Sequence, residues 1–229
     1  MDNYRYEIKF NPDRIAYYKL INYIDSSSDF MKSYLDRKVN SVYFDDSSFT
    51  SIRDNLGGFA DRIKYRLRWY DKYDPSDDQC ILNFEKKIRN GRLGSKKHFP
   101  IIIPDMDIYE CTPNDLYNFI SYQISKSGII LNNKLFASLM VSYLRSYYVS
   151  FSGIRLTIDR DINYFGITAQ EKPLSSFYKR HQNTNVIELK FNPEQRLEAI
   201  NIIEKFSLVP VRHSKYTKGM SFFTSLSYL

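Results

Sequence analysis

The run Arg62-Ile-Lys-Tyr-Arg-Leu-Arg-Trp69 alternates a cation with an apolar side chain from end to end. Successive side chains of a β-strand point to opposite faces. The segment is therefore predicted to set Arg62, Lys64, Arg66 and Arg68 on one face and Ile63, Tyr65, Leu67 and Trp69 on the other. Four like charges in register repel one another. Such a row is tolerated when it is fully solvated, or when a polyanion lies against it.

The same parity recurs along the chain. Tyr4 to Phe10 groups Arg5, Glu7 and Lys9, and Ser41 to Asp45 is a short β-rich run. Ile81 to Arg89 aligns Glu85, Lys87 and Arg89, Val141 to Tyr147 aligns Tyr143 and Arg145, and Gly153 to Asp159 aligns Arg155, Thr157 and Asp159. Val186 to Lys190 pairs Glu188 with Lys190. Helices interrupt these strands at three Pro-marked starts. Asn11-Pro12 precedes a predicted stripe of Ile15, Tyr18 and Ile21, Thr112-Pro113 one of Leu116, Phe119 and Ile120, and Asn192-Pro193 one of Leu197, Ile200 and Ile203. Gly57-Gly58 and Asn90-Gly91 read as turns between antiparallel neighbours.

Six or more strands with one polar and one apolar row, and too few helices to cover two faces, predict an α+β fold. Its expected form is a closed antiparallel β-barrel, a tunnel with a basic interior and helices packed outside. The 20 Tyr and 16 Phe suit half-buried strands. No linker, repeat or low-complexity tract divides the 229 residues, so a single domain over 1–229 is expected.

A formal charge of +7 favours anionic partners and leaves nucleic acid, phosphorylated metabolites and acidic lipid open. No apolar run approaches the roughly 20 residues that span a bilayer, and the start Met-Asp-Asn-Tyr-Arg lacks a secretion-signal layout. A soluble, cytoplasmic chain is the expectation. Cys80 and Cys111 lie far apart without a Cys or His at ligand spacing, so neither a disulfide framework nor a zinc site is expected. The sequence carries no Gly-rich phosphate loop and no nucleophile elbow, and His98, His181 and His213 are scattered without a Ser or Cys partner. Covalent catalysis is thereby disfavoured.

The charge rows are mostly Arg and Lys, with isolated carboxylates at Glu7, Glu85 and Glu188. The planar fork of Arg suits bidentate phosphate contacts. Two unit charges about 4 Å apart repel by roughly 4 kcal/mol at an effective dielectric of 20, so enclosing many cations is costly. A triphosphate with its divalent ion offsets that cost, and Mg²⁺ or Mn²⁺ on phosphates needs only one or two protein oxygens.

Arg5-Tyr-Glu-Ile-Lys9, Ser41-Val-Tyr-Phe-Asp45, Arg62 to Tyr70, Glu85-Lys-Lys87, Val141-Ser-Tyr-Leu-Arg145, Ile154 to Asp159, Ile187-Glu-Leu-Lys190 and Ser214-Lys-Tyr216 with Gly219 stand in one order along the chain. This order resembles the VTC domain, the vacuolar transporter chaperone type of polyphosphate polymerase within the triphosphate tunnel metalloenzyme superfamily. The resemblance implies an enzyme, a phosphotransferase that moves the γ-phosphoryl group of ATP onto polyphosphate in a basic tunnel with Mn²⁺ or Mg²⁺. It implies ATP and inorganic polyphosphate as partners. By the same resemblance Lys9, Arg66, Arg68, Lys87, Arg145, Arg155 and Lys215 bind phosphate, Tyr143 and Ser214 donate hydrogen bonds, and Glu188 binds the metal. Lys96 takes the place of a further tunnel lysine and Arg212 that of another basic position. Arg66, Arg68, Arg145 and Glu188 carry the catalytic role. His98 departs from the family, which often has Arg there.

Two other readings compete. Hydrolases and cyclases of the superfamily begin with Glu-x-Glu-x-Lys, whereas this chain has Arg5-x-Glu7-x-Lys9, which exchanges a metal ligand for a phosphate contact and favours the polymerase branch. A non-catalytic module that holds polyphosphate or RNA is the other. Tyr65 and Trp69 could stack on bases if exposed, but they lie on the parity opposite the cations and are expected in the core, which disfavours nucleic acid.

Overall fold

A computed structural model describes residues 5–71, 80–91, 93–103, 107–126 and 134–224. Among these residues nine strands form one antiparallel sheet: β1 (Tyr6–Phe10), β2 (Met31–Asp45), β3 (Arg62–Tyr70), β4 (Cys80–Asn90), β5 (Leu93–Ile103), β6 (Phe136–Val149), β7 (Arg155–Gly166), β8 (Lys179–Gln182) and β9 (Val186–Phe191). Their order is β1-β9-β7-β6-β2-β3-β4-β5, with β8 paired to β7. Five helices accompany them: α1 (Arg14–Ser26), α2 (Thr50–Leu56), α3 (Pro113–Lys126), α4 (Arg196–Phe206) and α5 (Lys215–Met220).

The alternation of Arg62 to Tyr70 becomes β3 in full, and its apolar row enters the core: Leu67 and Trp69 are buried, and Tyr65 stacks on Phe84. These aromatics belong to the convex face. A large apolar cluster there, including Phe44, Leu67, Trp69, Phe84 and Leu116, is covered by α3. A second, including Leu20, Ile24, Leu156, Leu189 and Phe206, is covered by α1 and α4. Each fully buried Leu, Ile or Phe contributes about 1.5–3 kcal/mol.

Two helix stripes are rotated from those read in the sequence. Asp13 caps α1 by accepting from Ala16 N, and Leu20 and Ile24 are buried while Ile15 and Tyr18 are exposed. In α4 a 3-10 turn over Pro193–Gln195 precedes the helix, so Ala199, Ile202 and Phe206 face inward and Leu197 faces out. In α3, Leu116 and Ile120 are buried as the spacing predicts, Phe119 packs half-buried on the same cluster, and Ile124 extends the buried stripe. Asn90-Gly91 makes the β4–β5 turn, with Gly91 at φ 59°. Gly57-Gly58, by contrast, ends α2 rather than joining two strands.

The sheet curls but stays open, which corrects the closed barrel. Its ends are β1 and β5, and no ladder joins them among the described residues. The outer edge of β1 is spent elsewhere: Lys9 O accepts from Val211 N at 2.8 Å, and Phe10 bridges to Pro210. Pro has no N–H to extend a ladder, so this segment covers the Lys9–Phe10 end of that edge without continuing the sheet. Bulges at Lys32/Tyr34, Tyr34/Arg37 and Tyr43/Phe44 in β2, and one in the β6–β7 register where Asp161 takes φ 53°, bend the sheet.

The helices are not all outside either. Tyr216 and Met220 of α5 and Ile52 of α2 pack on Tyr43, Leu139, Val141 and Tyr164, which plugs one end of the concave face with apolar side chains. Tyr216 stacks on Tyr43 with centroids 5.1 Å apart and donates to Asp45 at 2.8 Å.

Candidate functional site: a cationic concave face

Register, strand by strand, builds the site. Lys9 sits opposite Glu188 and Glu7 opposite Lys190. Glu188 sits opposite Thr157, and Asp159 opposite Arg145. Ser41 faces Arg68 and Tyr43 faces Arg66, while Arg66 faces Glu85 and Lys64 faces Lys87. Glu85 lies opposite His98 and Lys87 opposite Lys96. Because the side-chain period is two, this chain of pairings puts every one of these groups on the concave side.

Arg145 and Asp159 make a buried two-pronged pair at 2.5 and 2.7 Å, and the Lys215 ammonium bonds the same carboxylate. Burial raises the proton affinity of Asp159, but Arg145 and Lys215 overcome it and hold the carboxyl well below its usual range. Arg68 donates to Tyr143 Oη at 3.0 Å and to Ser41 Oγ at 3.4 Å. Glu85 is buried and binds Arg66 together with Lys96, the latter at 2.9 Å. Burial works against its charge, yet Arg66, Arg68 and Lys96 depress its pKa strongly.

Glu188 lies 3.1 Å from Lys190 Nζ, 3.9 Å from Lys9 Nζ and 4.0 Å from Arg145 Nη2. Burial is again overridden, by Lys190, Lys9, Lys87 and Arg145, and the carboxyl stays ionised far below its ordinary pKa. Glu7 bonds Lys87 at 2.5 Å, and the charge of Glu188 is close enough to oppose its ionisation.

Cations outnumber the carboxylates Glu7, Asp45, Glu85, Asp159 and Glu188 on this face. The excess is visible at Lys64: burial first, then Lys9, Arg62 and Lys87, push its pKa from 10.5 to about 7 against the opposing pull of Asp45, and its ammonium donates to the Ser214 hydroxyl at 3.0 Å. Lys96 falls to about 8 through burial despite Glu85. Even Tyr43 is held below its usual pKa, because Arg66, Arg68 and Lys215 outweigh its burial. Thr157 Oγ1 and His213 Nε2 are buried without a hydrogen-bond partner among the described residues.

Of the residues read from the sequence, the fold gathers Lys9, Arg66, Arg68, Lys87, Lys96, Tyr143, Arg145, Glu188, Ser214 and Lys215 around this face. Ser214 caps α5, which carries Lys215 over the Tyr143 ring at 4.6 Å. Arg155 and Arg212 are exposed, Arg155 on the concave face opposite Lys190 but at its rim. Arg155 lies near Arg5 and Tyr34 at one mouth, and Arg212 near Arg62 and Gly58 at the other. Sequence reasoning left Lys64, Lys190, Glu85 and Asp159 out of the site, although the parity of β3, β9, β4 and β7 already put them on its face. His213, read as a scattered histidine, sits inside with its pKa lowered to about 3 by burial, Lys215 and Lys9, so its ring is neutral at physiological pH.

The VTC domain family model matches residues 4–224. No curated protein matches the chain. The structure is similar to a putative adenylyl cyclase from Hippeastrum, described as having a dominant triphosphatase activity, with a TM-score of 0.53 at 14% identity over 95% of this chain and 96% of that one. It is also similar to a putative adenylate cyclase from Vibrio parahaemolyticus, with a TM-score of 0.52 at 10% identity over 96% of this chain and 99% of that one. Identity this low carries the fold and not the activity. No helix among the described residues is long and apolar enough to cross a membrane.

Proposed function

The chain belongs to the VTC domain family, and from that premise we propose that it is an ATP-dependent polyphosphate polymerase. The γ-phosphoryl group of ATP passes to the end of a phosphate chain held on the concave face, and ADP leaves. One observation carries the reading: an unbroken register from β1 to β5 lines a single face with cations in excess of their carboxylates. A phosphate chain supplies the anions this face lacks.

Phosphoryl transfer asks for in-line positioning and neutralisation of shifting oxygen charge more than for covalent work by the protein. Arg145 and Arg68 suit this because their partners fix them: Asp159 grips one guanidinium from two sides, and Tyr143 and Ser41 hold the other. Arg66 is held by Glu85 at its Nε and by a hydrogen bond with Tyr43, which fixes its guanidinium on this face. The acceptor is already an oxyanion, so no strong general base is needed.

The donor set also fits Mg²⁺ or Mn²⁺. Glu188 and Glu7 feel each other's charge, and Thr157, whose oxygen lacks a partner, is opposite Glu188. No group of three or more His, Cys, Asp or Glu suited to a metal occurs among the described residues. One or two carboxylates with substrate phosphates completing the shell is the way such hard ions are usually held. Glu188, with Glu7 beside it, would hold the ion, which when bound neutralises phosphate charge at the leaving group.

Purified protein given ATP and Mn²⁺ is expected to yield ADP and long phosphate chains, and Glu188→Gln to abolish turnover far more than nucleotide binding. Full activity in that variant would remove the metal assignment. Free phosphate without chains would move the assignment to a triphosphate hydrolase, and polyphosphate binding without turnover to a binding module. ATP and polyphosphate are the partners this reading requires, in a cytoplasmic setting where ATP is abundant.

A further inference from the structure

The two mouths of the concave face differ in chemistry. At one, Arg62, Arg89 and Arg212 lie close enough for Arg89 and Arg212 to oppose the charge of Arg62. Among the described residues none of these three is placed over an aromatic ring. At the other mouth the Arg37 guanidinium lies over three tyrosine rings, at 4.9 Å from the Tyr34 centroid, 5.8 Å from Tyr70 and 6.0 Å from Tyr147. Tyr34 meets Tyr147 edge-on at 5.7 Å.

This cluster is built rather than incidental. Residues 34 and 37 would face opposite sides of a regular strand, and the consecutive irregularities at Lys32/Tyr34 and Tyr34/Arg37 bring both to the concave side, opposite Tyr147 and Arg145 respectively. Bulges often re-aim side chains beside functional sites. On the far side of the bulge Asp36 is tied to Arg160 and to Lys32 at 2.9 Å, which fixes the distorted backbone. The rings are open to a ligand, since Tyr34 is 57% exposed and Tyr70 and Tyr147 are half-buried. They are also continuous with the phosphate-binding cations. Arg37 is opposite Arg145 in register, and the Tyr147 hydroxyl lies within the field of Arg145 and Arg68.

We propose that Tyr34, Arg37 and Tyr147 form a platform for the base of a nucleoside triphosphate, whose phosphates reach inward from this mouth to Arg145 and Arg68. The inference rests on the reading of the concave face as a phosphate-chain site. Inorganic phosphate chains use cations and gain nothing from rings. A purine or pyrimidine ring joined to the same phosphates stacks on both tyrosine and guanidinium faces. The platform therefore assigns the nucleotide to the aromatic mouth, where Arg5 and Arg155 also stand, and leaves the mouth of Arg62, Arg89 and Arg212 to the base-free chain.

The test is calorimetric binding of ATP and of inorganic tripolyphosphate to the wild-type protein, Tyr34→Ala and Tyr34→Phe. Tyr34→Ala is expected to weaken ATP about tenfold, the order of one aromatic face on a base, while tripolyphosphate stays within about twofold and Tyr34→Phe binds both as the wild type does. Equal losses for both ligands in Tyr34→Ala, or undiminished ATP binding, would overturn the platform and leave the phosphate site standing. A wild-type protein that binds neither ligand would overturn the phosphate site and the platform with it.

Discussion

Lys64 is where the charge excess can be measured directly. Its ammonium is enclosed and donates to a neutral hydroxyl, and despite the Asp45 charge its pKa drops to about 7. At pH 8 a group with that pKa is charged in roughly one molecule in ten. A bound triphosphate supplies the missing anion and returns the pKa above 9, so binding at pH 8 should draw in about 0.9 proton at this residue. Titration calorimetry with tripolyphosphate in two buffers of different ionisation enthalpy reads that number, and Lys64→Met removes the group while keeping its length. The wild type is expected to take up about 0.9 proton more than Lys64→Met. Its affinity is expected to fall as pH rises from 7 to 10, because the lysine must then be protonated at binding. Without ligand the sign reverses. The folded pKa lies below the unfolded value, so between about 7 and 10.5 the unfolded chain holds the extra proton, and stability rises with pH across that window. Lys64→Met should therefore be more stable than the wild type below pH 7. Equal proton uptake by the two proteins at pH 8 would refute the argument that this face lacks its anion.

Asp159→Asn leaves Arg145 and Lys215 together in a buried place with no anion between them. Breaking a buried pair from one side costs about 3–5 kcal/mol, a fall in melting temperature of roughly 10 °C for a chain of this size, and saturating tripolyphosphate is expected to restore part of it; a loss indifferent to ligand would count against phosphate reaching Arg145. Gly219→Ala should destabilise by about 1–3 kcal/mol in chemical denaturation, although Ala is the better helix former, because an added Cβ would collide with Leu139 and Tyr164. The same change should weaken tripolyphosphate binding, since α5 also carries Ser214 and Lys215. Unchanged stability would mean that α5 does not seat on the concave face.

Much of the fold was legible because strand parity is a local property. The alternation of β3, of Glu85 with Lys87, of Tyr143 with Arg145 and of Glu188 with Lys190 needs only the two-residue period of a strand, and the shared face follows. Helix orientation was less legible. Asp13 as the cap of α1 and the 3-10 turn before α4 each shift the buried stripe by a residue or two, and the spacing of Ile15 and Tyr18, or of Leu197 and Ile200, does not reveal which face meets the sheet. The aromatic mouth was invisible, because the bulged stretch of β2 that joins Tyr34 to Arg37 breaks the very alternation that marks a strand.

The sequence alone determined the alternating charge, the positive excess and the order of motifs, all of which depend on neighbours along the chain. Tertiary structure decided closure, since only the folded chain shows β1 and β5 unpaired among the described residues, with Pro210 and Val211 set against the Lys9–Phe10 end of the β1 edge. It also decided which cations are compensated. Asp159 for Arg145 and Glu85 for Arg66, and for Lys64 a hydroxyl with the Asp45 charge too weak to offset its cationic neighbours, are facts of cross-strand register and of the way the sheet curls, because Coulomb energy depends on distance through space and not on separation in sequence.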